Sequence, residues 1–397
     1  MIRDTRTLAL YAALGCLGYV LTGLGAILPE LRIQYDLPRT EAALYPSGFA
    51  AGLIVVGVVG DRIARRFGRG ALPAAAVALA VGTGMLALGG DRFVAGAGAI
   101  VLGLGGAGLV LLVPATLRVL HGDNAPVPIG EANATASAAS VLAPLLIGAA
   151  IGTRAGWQAA FFAVPLAGTV VVVAVLLWAG GHTPLVARDQ AANAEPSGRA
   201  PREFWWWWIT IIFSVGVEFC ILFWAADFLR TQKALAAGAA TAALVGFVLG
   251  MAIGRATTGP VLRLFAADTG RLLAAELLLA AAGFALFWAA PIPAVAFGGL
   301  MLSGLGVALL YPVALAEALA AWPAEPARAA SRCALASGLA IGAAPLLLGT
   351  LADQIGLRTA VLLTPTLIIL LLTRVIRRAW DGRRATAATV PAGRSGR

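Results

Sequence analysis

A single carboxylate interrupts the apolar stretch SVGVEFCILFWAADF at residues 214–228. The residues on both sides of Glu218 are typical of a membrane-spanning helix, and a charge at the centre of a bilayer costs about 2.5–3.5 kcal/mol on insertion scales. A residue that carries such a cost is a candidate for function, because a carboxylate can bind a proton or the positive end of a solute. The alternative is a protonated side chain hydrogen-bonded to a neighbouring helix. We expect the functional role for Glu218, since less costly residues could supply a structural hydrogen bond.

Two further ionisable residues lie in the spans that follow. Arg255 stands a few residues from the end of one span, and Glu276 stands about two turns into the next. At a rise of about 1.5 Å per residue their depths agree within about 5 Å, whereas Glu218 lies more than two turns away. Because an unpaired charge in lipid is costly, this spacing predicts a structural ion pair between Arg255 and Glu276.

Several polar and aromatic residues within spans are candidates for lining a cavity. Each of them could equally form a contact between helices. The candidates are Tyr19, Thr22, Asn133, Thr135, Ser137, Ser140, Trp224, Tyr311 and Ser337.

The elements that position these residues are membrane helices. Of 397 residues, 60% are hydrophobic and only 12% are charged, about half the charged fraction of soluble domains. Apolar stretches long enough to cross a bilayer recur along the chain, which predicts an all-α integral membrane protein with twelve spans. We place them at 8–29, 42–60, 70–90, 93–117, 132–153, 155–181, 204–226, 234–258, 270–290, 293–316, 333–352 and 357–376.

The net charge of +10 is explained by the placement of the basic residues. If both termini are cytoplasmic, the inner segments hold 21 of the 29 Lys and Arg residues and the outer loops hold seven. This bias orients a multi-pass protein in the plasma membrane with cytoplasmic termini, and it needs no nucleic-acid partner.

The chain divides into two similar halves of six spans. GFAAG at 48–52 matches GFVLG at 246–250, and APLLIG at 143–148 matches APLLLG at 344–349. The domain organisation is therefore a first bundle, an inter-domain loop, a second bundle and a disordered tail, at 1–181, 182–203, 204–378 and 379–397. Because each half has an even number of spans, the repeat is parallel, with an axis along the membrane normal. Two such bundles can rock about a site between them.

A basic segment follows the second span. GVVGDRIARRFGRG at 57–70 resembles the G-x-x-x-D-R-x-G-R-R signature of the major facilitator superfamily, although Ala64 replaces the usual glycine. The residues in register with the signature are Gly57, Asp61, Arg62, Arg65 and Arg66. The resemblance covers residues 8–378 and implies that fold, with Asp61 held at the start of the eleventh span near Ser331 and Arg332.

The resemblance also implies a secondary transporter that works as a monomer on a small-molecule substrate. No motif for metal hydrolysis or ATP binding is present in the sequence, so we expect neither an enzyme nor a cofactor, and a proton gradient is the expected energy source. Uptake of a polar solute, such as a sugar or an organic anion, and export of an amphipathic or cationic drug both remain open. Ala143 before Pro144, where antiporters of this family have glycine, favours uptake. A membrane sensor that does not transport is a more remote alternative.

Overall fold

The computed structural model describes residues 4–178, 199–265 and 268–389. Within these ranges the side chains of residues 59–67, 69, 327 and 381–389 are not described. All the regular secondary structure of the described part is helical.

Seven α-helices form the described part of the first half. The carboxylate of Asp4 caps the first helix by accepting the Thr7 N–H at 2.9 Å, and Asp91 caps the fifth in the same way. The helices are α1 (Thr5–Gln34), α2 (Arg39–Ala42), α3 (Leu44–Phe67), α4 (Ala71–Leu88), α5 (Arg92–His121), α6 (Pro126–Ala150) and α7 (Gly156–Trp178).

Ten α-helices form the described part of the second half. They are α8 (Arg202–Gln232), α9 (Ala237–Ala242), α10 (Leu244–Ala256), α11 (Thr258–Leu264), α12 (Thr269–Ala289), α13 (Pro293–Val307), α14 (Leu310–Ala321), α15 (Pro326–Ile355), α16 (Leu357–Ala360) and α17 (Leu363–Thr389).

Twelve helical segments of the described chain are long and apolar enough to cross a membrane, and each overlaps one predicted span. The twelve-span, all-α prediction is confirmed. Because the number of spans is even, α1 begins and α17 ends on one side of the molecule, which we call the termini side. The opposite side is the far side.

The packing of the helices repeats between the halves. In the first half, α1 packs against α6 and α7, α4 against α5 and α7, and α3 against α5. The second half has the corresponding contacts of α8 with α15 and α17, of α12 with α13 and α17, and of α10 with α13. The six-plus-six repeat inferred from the sequence is therefore also a repeat of contacts.

Close backbone contacts fix the register of this repeat. A Cβ on Gly103 would lie 2.1 Å from the carbonyl oxygen of Phe49, and one on Gly304 would lie 2.0 Å from that of Phe247. The residues that follow α1 and α8 correspond as well, since Asp36 and Ala234 have φ angles of 49° and 52°. Corresponding residues are separated by 198 in the first two spans of each half and by 201 in the next two, where Gly105 lies against Ala75 as Gly306 lies against Glu276.

The two halves meet mainly through three pairs of helices, which are related by the same symmetry. Helix α1 packs against α8, while α3 packs against α15 and α6 packs against α10. Exchanging the halves converts the α3–α15 contact into the α10–α6 contact, as a two-fold axis near α1 and α8 requires. These three contacts thus surround the axis between the bundles.

The tenth span is broken where its counterpart is continuous. Helix α13 ends at Val307 and α14 begins at Leu310, whereas α5 runs without interruption from Arg92 to His121. The register of 201 places Pro312 three residues before the counterpart of Pro114, although an offset of 198 aligns the two prolines in the sequence. The break therefore belongs to the second half alone.

The predicted tail begins too early. Helix α17 continues through Thr389, so residues 379–389 are helical, and residues 390–397 lie outside the described part. The apolar pattern ends near residue 376, but Arg374 and Arg378 extend the helix by packing over the Trp206 ring at 5.5 and 4.3 Å from its centroid. The predicted loop is shorter than 182–203, because α8 begins at Arg202, and most of it lies outside the described residues.

Candidate functional site

Glu218 forms an ion pair with an arginine on another helix of the second half. Its Oε1 lies 3.6 Å from the Nη2 of Arg255, with Glu218 on α8 and Arg255 on α10. The carboxylate side chain is 14% exposed and the guanidinium 39% exposed, so the pair is accessible on one side. The distance is that of an ion pair rather than of a short, direct hydrogen bond.

This pairing corrects the prediction that Arg255 pairs with Glu276. A helical side chain points back toward the N-terminus of its helix, and α10 runs from the far side toward the termini side. The long side chain of Arg255 therefore extends deeper into the membrane than its Cα, to the level of Glu218. Glu276 is buried on α12, where its Oε2 accepts the N–H of Leu309 at 3.1 Å.

The Glu218–Arg255 pair lines a cavity between the two halves. Its volume is about 80 Å³, and α1 and α6 of the first half and α8 and α10 of the second half form its walls. The lining residues are Leu21, Thr22, Ser137, Ser140, Glu218, Phe219, Leu222, Val248, Met251, Ala252 and Arg255. One bundle thus supplies the charges and the other supplies hydroxyl groups.

The hydroxyl groups of this cavity differ in their availability. Ser140 Oγ lies 2.9 Å from the carbonyl oxygens of both Gly18 and Ala136, so its proton is used within the protein. Within the described part of the chain, the hydroxyls of Thr22 and Ser137 have no hydrogen-bond partner. They can therefore bind a polar solute without breaking a protein contact.

Tyr311 and Ser337 adjoin the ion pair. The Ser337 hydroxyl donates to the Cys333 carbonyl of its own helix at 3.2 Å, and Tyr311 is close enough to Glu218 and Arg255 to interact electrostatically with both. Both are sequence candidates that lie near the site without lining the cavity of 80 Å³.

Four other candidates form hydrogen bonds with protein groups. Tyr19 is buried and donates its hydroxyl to the carbonyl of Ala160 at 2.8 Å, and the buried Trp224 donates Nε1 to the carbonyl of Pro345 at 3.1 Å. Asn133 is exposed and donates to the Ile129 carbonyl of its own helix, as does Thr135 to that of Glu131. Tyr19 and Trp224 therefore form contacts between helices, which was the alternative to lining a cavity.

The signature segment is helical over most of its length. Helix α3 continues to Phe67, and the carbonyl of Gly57 accepts the Ser331 hydroxyl at 3.3 Å, which joins α3 to α15 on the termini side. The side chains of Asp61, Arg62, Arg65 and Arg66 lie outside the described residues. The contact of Asp61 with the start of the eleventh span stays a prediction.

A set of charges on the far side was not predicted from the sequence. Asp227 on α8 is 2% exposed and accepts from Arg32 at 3.2 Å and from Arg39 at 2.8 Å, both in the first half. Arg230 also pairs with Glu30 across the halves. The sequence does contain a signal, because Asp227 is a second carboxylate only nine residues after Glu218. Asp227 was overlooked because it stands near the end of the span.

Asp353 completes these contacts from the eleventh span. Its carboxylate accepts the backbone N–H groups of Arg39 at 3.0 Å and Thr40 at 2.7 Å, together with the Thr40 hydroxyl. It therefore caps the short helix α2 of the other half. We call the six residues Glu30, Arg32, Arg39, Asp227, Arg230 and Asp353 the far-side network.

The arrangement is a polar site between two bundles that are tied together on the far side. Its chemistry is ionic pairing and hydrogen bonding, with a carboxylate that can accept a proton and a guanidinium that can bind a carboxylate or phosphate.

Comparisons with known proteins agree with this architecture. The sequence model of the Major Facilitator Superfamily matches residues 10–266. No curated protein matches the chain.

Solved transporter structures share the fold. A bacterial homologue of the human lysosomal transporter Spinster, in an inward-facing and unoccupied conformation, is 15% identical with a TM-score of 0.78, covering 94% of this chain and 97% of that one. The nucleoside transporter NupG is 12% identical with a TM-score of 0.75, covering 94% and 99%. The peptide transporter POT is 17% identical with a TM-score of 0.71, covering 94% of each chain.

Proposed function

The chain belongs to the major facilitator superfamily, and from this premise we propose that it takes up a small polar organic solute together with protons, with Glu218 as the proton-binding group. The general class, a secondary transporter that spans the membrane many times, follows from the family and the fold. The solute, the coupling ion and the direction are our proposal.

The observation that carries the proposal is the Glu218–Arg255 pair in the cavity between the bundles. When Glu218 is ionised, its charge is compensated by Arg255, so the empty carrier holds a neutral pair. When Glu218 is protonated, Arg255 loses its negatively charged partner. The guanidinium then becomes available to a polar or anionic group of the solute. Proton binding and solute binding thereby favour each other, which is the requirement for coupled transport.

The alternating-access cycle would use the symmetry of the two bundles. Rocking of the two bundles about the central cavity, which lies between α1 and α8, would open the cavity to the far side and to the termini side in turn. The excess of basic residues on the termini-side segments favours a plasma-membrane location with cytoplasmic termini. Under this orientation the far-side network closes the outer entrance.

Export of an amphipathic or cationic compound is the second candidate. The apolar side chains of Phe219, Leu222 and Met251 line part of the cavity and favour it. Arg255 disfavours it, because an entering cation would meet a carboxylate that already has a positive partner. A membrane sensor is a third, more remote candidate.

The test is a ligand screen followed by transport in proteoliposomes. Purified protein is heated with members of a library of metabolites and drugs at pH 5.5 and 8, and a ligand at about 100 times its dissociation constant should stabilise it by about 2.7 kcal/mol. Polar ligands whose affinity depends on pH support coupled uptake, whereas lipophilic cations support export. If no compound stabilises the protein, the sensor role gains support.

The ligand found in this screen then serves to test Glu218. We expect Glu218→Gln to fold and bind the solute but to lose the pH dependence of transport, because the amide cannot take up the proton. Glu41→Gln, which removes a carboxylate from the exposed pair with Arg92 within the first half, is the matched control and should keep it. Unchanged proton coupling in Glu218→Gln would remove Glu218 from the mechanism.

A further inference from the structure

We propose that Glu276 is a positioning residue for the Glu218–Arg255 pair, and that it acts through the break in the tenth span. The inference rests on the proposed function only for its consequence in transport. Its structural content concerns two contacts that meet at one peptide group, together with the Glu218–Arg255 ion pair.

The break leaves two backbone groups without helical partners. Pro312 has no N–H, so the carbonyl of Ala308, four residues earlier, loses the donor that a regular helix would provide. Arg255 Nε donates to this carbonyl at 3.4 Å. The N–H of Leu309 donates to Glu276 Oε2 at 3.1 Å, in a buried position.

The carbonyl of Ala308 and the N–H of Leu309 belong to the same peptide unit. A peptide unit is planar, so its C=O and its N–H turn together and point in opposite directions. Glu276 holds one end of this plane and Arg255 holds the other. By fixing the direction of the N–H, Glu276 also fixes the direction of the carbonyl that Arg255 uses.

Arg255 is consequently held at two points. Its Nε is directed to the Ala308 carbonyl, and its Nη2 reaches Glu218 at 3.6 Å. If the carboxylate of Glu276 is removed, the Leu309 N–H is left buried without a partner, which is an unfavourable state. The peptide plane then turns to find another acceptor, and the guanidinium loses one of its two supports.

The first half of the chain serves as an internal comparison. In the registers of the repeat, Arg255, Glu276 and Leu309 correspond to Gly57, Ala75 and Gly108. A Cβ on Gly108 would lie 2.8 Å from the Cβ of Ala75, so these small residues pack directly and α5 stays continuous. The acid, the arginine and the broken helix occur together in the half that carries Glu218. This joint occurrence favours one shared role over three separate structural ones.

The test measures the coupling between Glu218 and Arg255 by a double-mutant cycle. Free energies of unfolding of the full chain are measured in mixed detergent and dodecyl sulfate for Glu218→Gln, Arg255→Gln and the double variant. The cycle is repeated in the Glu276→Ala and Glu276→Gln backgrounds. We expect the coupling to fall by at least half in Glu276→Ala and to be kept in Glu276→Gln, whose amide oxygen can still accept the Leu309 N–H.

Glu317→Ala is the matched control. Glu317 lies in the same half and accepts the Thr269 hydroxyl at 2.7 Å without touching the break, so its removal should leave the coupling intact. A full Glu218–Arg255 coupling in Glu276→Ala would overturn the proposal and leave Glu276 as a simple cap of Leu309.

Alanine at position 276 is the residue that the first half carries at position 75, which favours folding of the variant. Should it fail to fold, Glu276→Asn withdraws the acceptor by one methylene while keeping an amide, and the same loss of coupling is expected. The cycle uses no solute. A failure of proton coupling through Glu218 would therefore appear in the transport assay and leave this result unaffected.

Discussion

Two buried tyrosines show how strongly single polar contacts differ in this protein. Tyr19 donates its hydroxyl to the Ala160 carbonyl at 2.8 Å, whereas the hydroxyl of Tyr45 has no hydrogen-bond partner in the described part of the chain. Removing a satisfied donor leaves a buried carbonyl short of one bond, and removing an unsatisfied hydroxyl leaves nothing short.

We expect Tyr19→Phe to lower the free energy of unfolding by about 1 kcal/mol and Tyr45→Phe to leave it unchanged or raise it. Unfolding of both variants in dodecyl sulfate, followed by circular dichroism, measures the difference. Because the two substitutions delete the same atom from buried rings, each serves as the control for the other. Equal losses in both variants would contradict the assignment of these hydroxyls.

At this scale the sequence identifies the residue types of the site but not their partners. Glu218, Thr22 and Ser137 are recognisable as polar residues within spans, and all three line the cavity. The partner of Arg255 was not predictable from depth along a helix, because a long side chain changes its depth by more than a turn. Asp227 was missed because its arginine partners lie at the far-side end of another bundle.

At the scale of helices, small residues allow the backbones of neighbouring spans to touch. On α13, Gly304 lies against the carbonyl of Phe247, where an added Cβ would be 2.0 Å away, while a Cβ on Gly298 would meet no atom within 4 Å. Membrane helices gain much of their association from such close packing.

Gly304→Ala should therefore destabilise the fold by about 1–3 kcal/mol, the usual cost of overpacking. Gly298→Ala on the same helix is the control, and it should be neutral or stabilising by up to about 1 kcal/mol, since alanine favours helix formation. Gly103→Ala, at the equivalent position of the first half, should match Gly304→Ala. Thermal unfolding in detergent distinguishes these outcomes, and a neutral Gly304→Ala would show that α10 and α13 can separate freely.

Helices and their repeat were the most predictable level. Every predicted span overlaps an observed one, because hydrophobic length determines a span with little help from tertiary contacts. The break in the tenth span was not predicted, since proline is tolerated in continuous membrane helices and α5 contains Pro114 without a break. Its contacts with Glu276 and Arg255 come from two other helices that are distant in sequence.

At the scale of the whole molecule, the proposed alternating-access cycle would give the far-side network the role of favouring the state that is closed on the far side. Asp227 joins α8 to Arg32 and Arg39, and it is almost fully buried in this closed arrangement. When the far side opens, all three side chains meet water. Their pairing therefore stabilises the closed state selectively, and a substitution there changes a population rather than a binding contact.

We expect Asp227→Asn to shift the protein toward the state open on the far side. Breaking a buried pair by removing one partner costs about 3–5 kcal/mol, and each 1.4 kcal/mol corresponds to about a tenfold change in an equilibrium, so a shift of tenfold or more is expected.

The measurement is the rate at which a membrane-impermeant maleimide, added outside intact cells, labels Thr22→Cys in the central cavity. Glu41→Gln removes a comparable carboxylate from a pair with Arg92 that stays within one bundle, and it should leave the rate unchanged. The native cysteines Cys16, Cys220 and Cys333 are buried, which keeps the background low. If labelling in Asp227→Asn matched that in the control, the far-side network would be a fixed structural tie, and access to the cavity would have to be governed from the termini side.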